Sequence, residues 1–148
     1  MPFVLFHSRF PEIAERETRT ITVLPGSDLG LPVGSYSFVE MFSNEPGCDC
    51  RRVFFYVMSS SRKSVESVVT WGWEKQSFYA KWMREEDPPR EILSAIKGPS
   101  LNLGSPQTNL APALLRFVAS VLLRDVEYVE RVKRHYRMFR DQVEAAGS

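Results

Sequence analysis

Three consecutive pieces of sequence decide the fold: Tyr36-Ser37-Phe38-Val39-Glu40-Met41-Phe42, then Asn44-Glu45-Pro46-Gly47, then Val53-Phe54-Phe55-Tyr56-Val57-Met58. In an extended chain successive side chains point to opposite sides, so Tyr36, Phe38 and Phe42 share one face and Val39 and Met41 the other. Apolar residues on both faces predict a strand covered from both sides. The Asn-Glu-Pro-Gly run is a turn, because proline presets φ and glycine accepts positive φ. Val53–Met58 is again apolar on both faces and predicts a central strand. Two such strands joined through a turn form an antiparallel pair.

Working outward, Arg19–Leu24 alternates, with Ile21 and Val23 on one face and Thr20 and Thr22 on the other. Residues 25–34 form a loop, punctuated by Pro25-Gly26, Gly30 and Pro32. Ser59–Ser64 is polar loop. Val68–Trp73 is a strand with Val69, Trp71 and Trp73 on one face. Gly72 inside it marks a bulge or a close approach. Phe78, Ala80 and Trp82 alternate with Tyr79 and Lys81, so Phe78–Met83 reads as a fifth strand, with a short helix as the competing reading. Arg90–Ile96 makes one or two helical turns before Gly98-Pro99.

Two helices then follow. The first opens near Asn109, with Pro112 in its first turn, where a missing N–H costs little. Its apolar stripe is Ala111, Leu114, Leu115, Val118, Val121 and Leu122. The second opens at Asp125, a good N-cap. Its stripe is Val126, Val129, Val132, Tyr136, Phe139 and Val143. Glu127–Arg131 and Glu130–Arg134 are i,i+4 pairs in the better orientation. The tail Ala145–Ser148 is expected to fray. Strands first and helices last predict an α+β domain spanning residues 1–148: an antiparallel sheet of four to five strands followed by two C-terminal helices packed on it. The doubly wound nucleotide-binding folds do not fit this order.

Composition narrows the function classes. The chain has 148 residues, and its 19 Lys and Arg against 18 Asp and Glu give a net charge of +1. Neither a globally basic nucleic-acid binder nor an acidic solvating chain has that balance. Two cysteines are too few for a disulfide scaffold. The apolar start Met1–Phe6 is broken at once by His7, Arg9 and Glu12, which leaves no signal-peptide core. No run approaches the roughly 18 apolar residues of a membrane span. The expectation is a cytoplasmic protein without membrane contact, its cysteines reduced or metal-bound. No G-x-S-x-G, P-loop, G-x-G-x-x-G or H-E-x-x-H pattern occurs, so catalysis has no motif to rest on.

The constellation that carries chemistry is Pro46-Gly47-Cys48-Asp49-Cys50-Arg51-Arg52, at the hairpin tip. Residues two apart in extended chain point the same way, about 6–7 Å apart. Both sulfurs could face one zinc at the usual distance of about 2.3 Å if the tip curls. Arg51 and Arg52 would favour the thiolates. The plainer reading is a pair of free thiols in a tight turn. His7 and His135 are the only histidines, and with Cys48 and Cys50 they would complete four zinc ligands if both chain ends approach the tip. Each histidine alone reads as a structural residue. Glu40 stands where the strand pattern asks for an apolar residue. A buried carboxylate needs a partner, and an ion pair with an arginine is the expectation. The other reading is an enzyme site of Glu40 with Arg51 or Arg52 between sheet and helices. On the last helix Arg131, Lys133, Arg134, Arg137 and Arg140 form a basic cluster. It is either a solvated face or a footprint for a nucleic-acid or protein partner.

A longer set of strings resembles one bacterial family. They are Leu31–Phe42, Glu45–Val53, Trp73-Glu74 before Phe78–Met83, Gly98-Pro99, Ala111–Leu115, and Tyr128–Arg131 before Lys133–Tyr136. Together they resemble an uncharacterised bacterial domain found in SEC-C motif-containing proteins, over about His7 to Phe139. That family's hairpin reads C-x4-C-x-C, and Ser43 stands here in place of its first cysteine. The cysteine-rich SEC-C tail is absent from this sequence. The resemblance itself implies little about function beyond an association with a binding tail, which adds to the Cys-Asp-Cys turn and the lack of a catalytic motif. The expected function is therefore a small binding or adaptor module with a metal-binding or redox-sensitive Cys-Asp-Cys tip.

Overall fold

The computed structural model describes residues 2–146. They form a six-stranded antiparallel sheet and five α-helices, an α+β arrangement. The strands are β1 (Phe3–Leu5), β2 (Arg19–Val23), β3 (Gly34–Ser43), β4 (Arg52–Ser59), β5 (Ser64–Gly72) and β6 (Ser100–Leu101). The helices are α1 (Pro11–Glu17), α2 (Gln76–Met83), α3 (Arg90–Lys97), α4 (Ala111–Ser120) and α5 (Val126–Ala146). Of the tail expected to fray, α5 carries Ala145 and Ala146, while Gly147 and Ser148 lie outside the described residues.

β3 and β4 pair from Tyr36↔Ser59 to Met41↔Phe54, which puts β4 between β3 and β5 as its apolar faces require. On its other edge β3 is shared. β1 pairs with residues 41–43 and β2 with residues 34–38. Between them Val39 and Glu40 have no strand partner on that edge, and the chain from β1 to β2 runs through the 3-10 turn Phe6–Ser8 and α1. The face of Tyr36, Phe38, Phe42, Val53, Phe55 and Val57 is the buried one. α4 and α5 cover it, with Phe117 stacked on Phe38, Phe139 against Phe42 and Tyr128 against Phe55. The opposite face is only half-buried at Val39, Met41, Tyr56 and Met58.

The sheet has six strands rather than four to five and there are five helices rather than two, β1, α1 and β6 being unexpected, and three of the expected elements differ in detail. β5 begins at Ser64 rather than Val68, so part of the polar run is strand. A bulge at Val57/Met58 leaves Glu66 outside the ladder. Its fully buried carboxylate accepts from Ser59 Oγ at 2.6 Å and Thr108 Oγ1 at 2.9 Å, with Arg62 at 3.4 Å. Polarity suggested a loop because partners 42 residues away are not visible locally. Second, Phe78–Met83 is helix, not a fifth strand. The free edge of β5 is taken by β6, and six residues carry too little periodicity to separate the two states. Tyr79 is the one buried side chain of α2. A Cβ at Gly72 would lie 2.2 Å from its hydroxyl oxygen, so Gly72 does mark a close approach.

The third difference is the face of α5. Asp125 caps it as expected, accepting from the Tyr128 N–H at 3.2 Å. The buried residues are Tyr128, Val132, His135, Tyr136, Phe139, Arg140 and Val143. Val126, placed on the stripe by spacing, is 75% exposed. The true stripe passes through a histidine and an arginine, which an apolar pattern skips.

Candidate functional site

The cysteine pair sits in the loop 44–51 between β3 and β4, wider than a hairpin tip. Pro46-Gly47 makes the turn, with the Cys48 N–H donating to Glu45 O at 3.1 Å and Gly47 at φ 75°. The loop is tied at both ends. Glu144 from α5 accepts from the Gly47 N–H at 2.7 Å. Tyr136 donates to Asp49 Oδ1 at 2.7 Å and accepts from the Arg51 N–H at 3.1 Å. Tyr79 of α2 donates to Arg51 O at 2.8 Å. Thus α5 and α2, far apart in sequence, hold one loop between them.

Cys50 is fully buried and Cys48 half-buried, and neither is in a disulfide. Cys50 and Ser43 act on the Cys48 thiol through hydrogen bonding that favours its ionised form. These bonds, with the Arg140 guanidinium nearby and the Cys50 backbone N–H, hold the Cys48 thiol down at about 6, against the burial that opposes ionisation. Cys50 is pushed far up, first by donating to Cys48 and then by burial. The two shifts are opposed: the surroundings favour ionisation of Cys48 and oppose that of Cys50.

The cation beside Cys48 is not a sequence neighbour. Arg51 turns away to Asp49 at 2.9 Å and Glu74 at 2.7 Å. Arg52 donates to Ile96 O at 2.9 Å, and its charge acts on Cys50. Arg140 takes the role instead. It is buried, donates to Ser43 O at 2.6 Å and Glu45 O at 2.9 Å, and pairs with Glu144. It thus leaves the exposed basic cluster in which its spacing had placed it. Ser43 and Arg140 were missed as members of this site. The only local trace was Ser43 standing where the resembled family carries a cysteine.

The other expected residues lie elsewhere. His7 is exposed, in a short 3-10 turn. His135 is buried, stacked on Phe6 at 4.3 Å between centroids, with Nδ1 on Glu40 Oε1 and Nε2 on Glu17 Oε1, each at 2.7 Å. Both ring nitrogens are therefore engaged by carboxylates. Among the described residues no group of three or more His, Cys, Asp or Glu side chains is placed to hold a metal ion. Glu40 is buried as expected, but its partners are His135 and the Tyr128 hydroxyl, at 3.0 Å, rather than an arginine. The space beside it measures 10 Å³, about one water at most. Of the basic face, Arg131 donates to Glu17 O, Arg134 pairs with Glu17 and Lys133 with Glu130. No helix among the described residues is long and apolar enough to cross a membrane.

Comparison with family models, with curated proteins and with solved structures finds no match to the chain. The functional reading rests on the geometry of its own residues.

Proposed function

We propose that this protein is a thiol-based redox module in which Cys48 is the reactive thiolate and Cys50 the resolving thiol. The observation that carries the reading is the setting of the pair: a half-buried Cys48 beside the buried Cys50, Ser43 and Arg140, whose hydrogen bonding and charge favour its ionisation. The thiolate is the nucleophile in disulfide exchange, and thiols ionised near ambient pH attack fastest. Once Cys48 is bonded to another sulfur its charge is gone. The hydrogen bond and charge that keep Cys50 protonated go with it, while the Arg52 N–H and guanidinium remain to favour a Cys50 thiolate. Cys50 then attacks the Cys48 sulfur and closes an intramolecular disulfide. In the reducing compartment expected from the sequence the resting form would be the dithiol.

The test is alkylation by iodoacetamide as a function of pH, read by mass spectrometry at each cysteine. Cys48 should react half-maximally near pH 6, and Cys50 should stay unmodified in the folded protein. Ser43→Ala should move that midpoint up, and Cys50→Ala should move it further, because Cys50 supplies the larger share of the effect. Diamide should remove two hydrogens from the wild type and form the 48–50 disulfide. A Cys48 midpoint no lower than that of a free cysteine, or equal labelling of both thiols, would reject the reading.

A further inference from the structure

Cys48 opens onto a cleft of 680 Å³ between residues 45–49 and α2, with Phe78, Lys81, Trp82 and Arg84 on the far wall. That volume lies in the range of small-molecule sites. Two features of the wall select chemistry. Phe78 and Trp82 are half-buried aromatic surfaces. Lys81 and Arg84 are exposed, and among the described residues neither side chain meets a carboxylate. The acidic residues on the near wall do not cancel them. Asp49 spends its charge on Arg51 and the Tyr136 hydroxyl, which leaves Glu45 alone against two cations.

We infer that the cleft takes a low-molecular-weight disulfide carrying carboxylates, with Lys81 and Arg84 receiving the carboxylates while Cys48 attacks the disulfide. The inference rests on Cys48 being the reactive thiol. The Cys48 thiolate attacks one sulfur of R–S–S–R, forming a Cys48–S–S–R bond and expelling one thiolate. Cys50, passing its proton to the expelled thiolate, attacks the Cys48 sulfur and expels the second thiolate. The two cysteines are oxidised by two electrons to a disulfide, and the ligand is reduced to two thiols. Two cations lining the same cleft as Cys48 concentrate an anionic ligand before the chemistry begins.

The experiment compares three disulfides on the reduced full chain: oxidised glutathione, which carries carboxylates; bis(2-hydroxyethyl) disulfide, which is neutral; and cystamine, which is dicationic. Loss of free Cys48 is followed by quenching and mass spectrometry. Each rate is divided by that of the same disulfide with a free model thiol, which removes differences between leaving groups. Oxidised glutathione should be favoured over the neutral disulfide by about tenfold, with cystamine slowest. In the exposed-site variant Lys81→Glu/Arg84→Glu, the ratio of anionic to neutral rates should fall by about tenfold. Lys81→Gln, a milder change, should lower that ratio by about threefold if the double variant does not keep its melting transition. Normalised rates equal within twofold for all three disulfides, or a ratio untouched by these substitutions, overturn the inference while Cys48 reactivity stands. A wild-type Cys48 that reacts with the neutral disulfide no faster than the model thiol overturns both readings.

Discussion

At the scale of single residues, polar side chains inside the sheet–helix layer are the informative ones. Glu40 was recognisable as an oddity on an apolar face, and burial did require a partner. The partner's identity was not recoverable, because it lies 95 residues away on α5. The difference has consequences. An arginine abandoned by its carboxylate stays charged, and breaking such a buried pair costs about 3–5 kcal/mol. His135 can shed its proton instead. Glu40→Gln should therefore cost only about 1–3 kcal/mol, the range for a buried hydrogen-bonding group left poorly matched. Urea unfolding of wild type and variant at neutral pH measures it. A loss above that range would mean that His135 cannot neutralise inside the fold. Among the described residues no buried side-chain nitrogen or oxygen lacks a partner, which is why these polar groups are tolerated.

At the scale of elements, α5 shows where periodicity serves and where it misleads. The spacing of Val132, Tyr136, Phe139 and Val143 located the helix and most of its buried face. It could not count His135 and Arg140 as inward, since their hydrogen-bond partners come from α1, β3 and the following loop. It counted Val126 as inward although that residue precedes the contact with the sheet. Phe139→Ala should cost about 3–5 kcal/mol. Val126→Ala, at a site 75% exposed, should cost under about 0.5 kcal/mol. Chemical denaturation of the two variants side by side checks the face, and similar losses would show that the helix is rotated from its described position. The α2 segment makes the complementary point. Its alternation fits a strand, yet it folds as a helix because Tyr79 fills the space left by Gly72 and finds Arg51 O. That docking builds the second wall of the Cys48 cleft.

At the scale of the whole molecule, one hydrogen-bonded chain, Glu17–His135–Glu40–Tyr128, buried except at the half-buried Glu17, ties α1, β3 and α5 together. Burial lowers the affinity of His135 for its proton, but the hydrogen bonds and charges of Glu40 and Glu17 outweigh it and raise its pKa above the ordinary 6.5. Its contribution to stability is therefore complete below pH 6.5 and is lost as pH rises through the raised folded value. Glu17 is shifted down by its bond to His135, so its contribution is present above 4.5 and lost as pH falls through the lowered value. Cys48, also shifted down, gains stability toward alkaline pH and opposes the histidine. In a Cys48→Ser background the melting temperature should be highest between pH 4.5 and 6.5 and fall on the alkaline side. An NMR titration of His135 at or below its ordinary value would refute this account. The class of fold, the strand pair around the turn, the last two helices and the presence of a dithiol loop were decided by the sequence alone, because they depend on side-chain periodicity and turn chemistry within a few residues. Tertiary structure alone decided which arginine stands beside Cys48 and what Glu40 binds. Each of those outcomes depends on groups brought together from opposite ends of the chain, and a local pattern carries no information about a partner that distant.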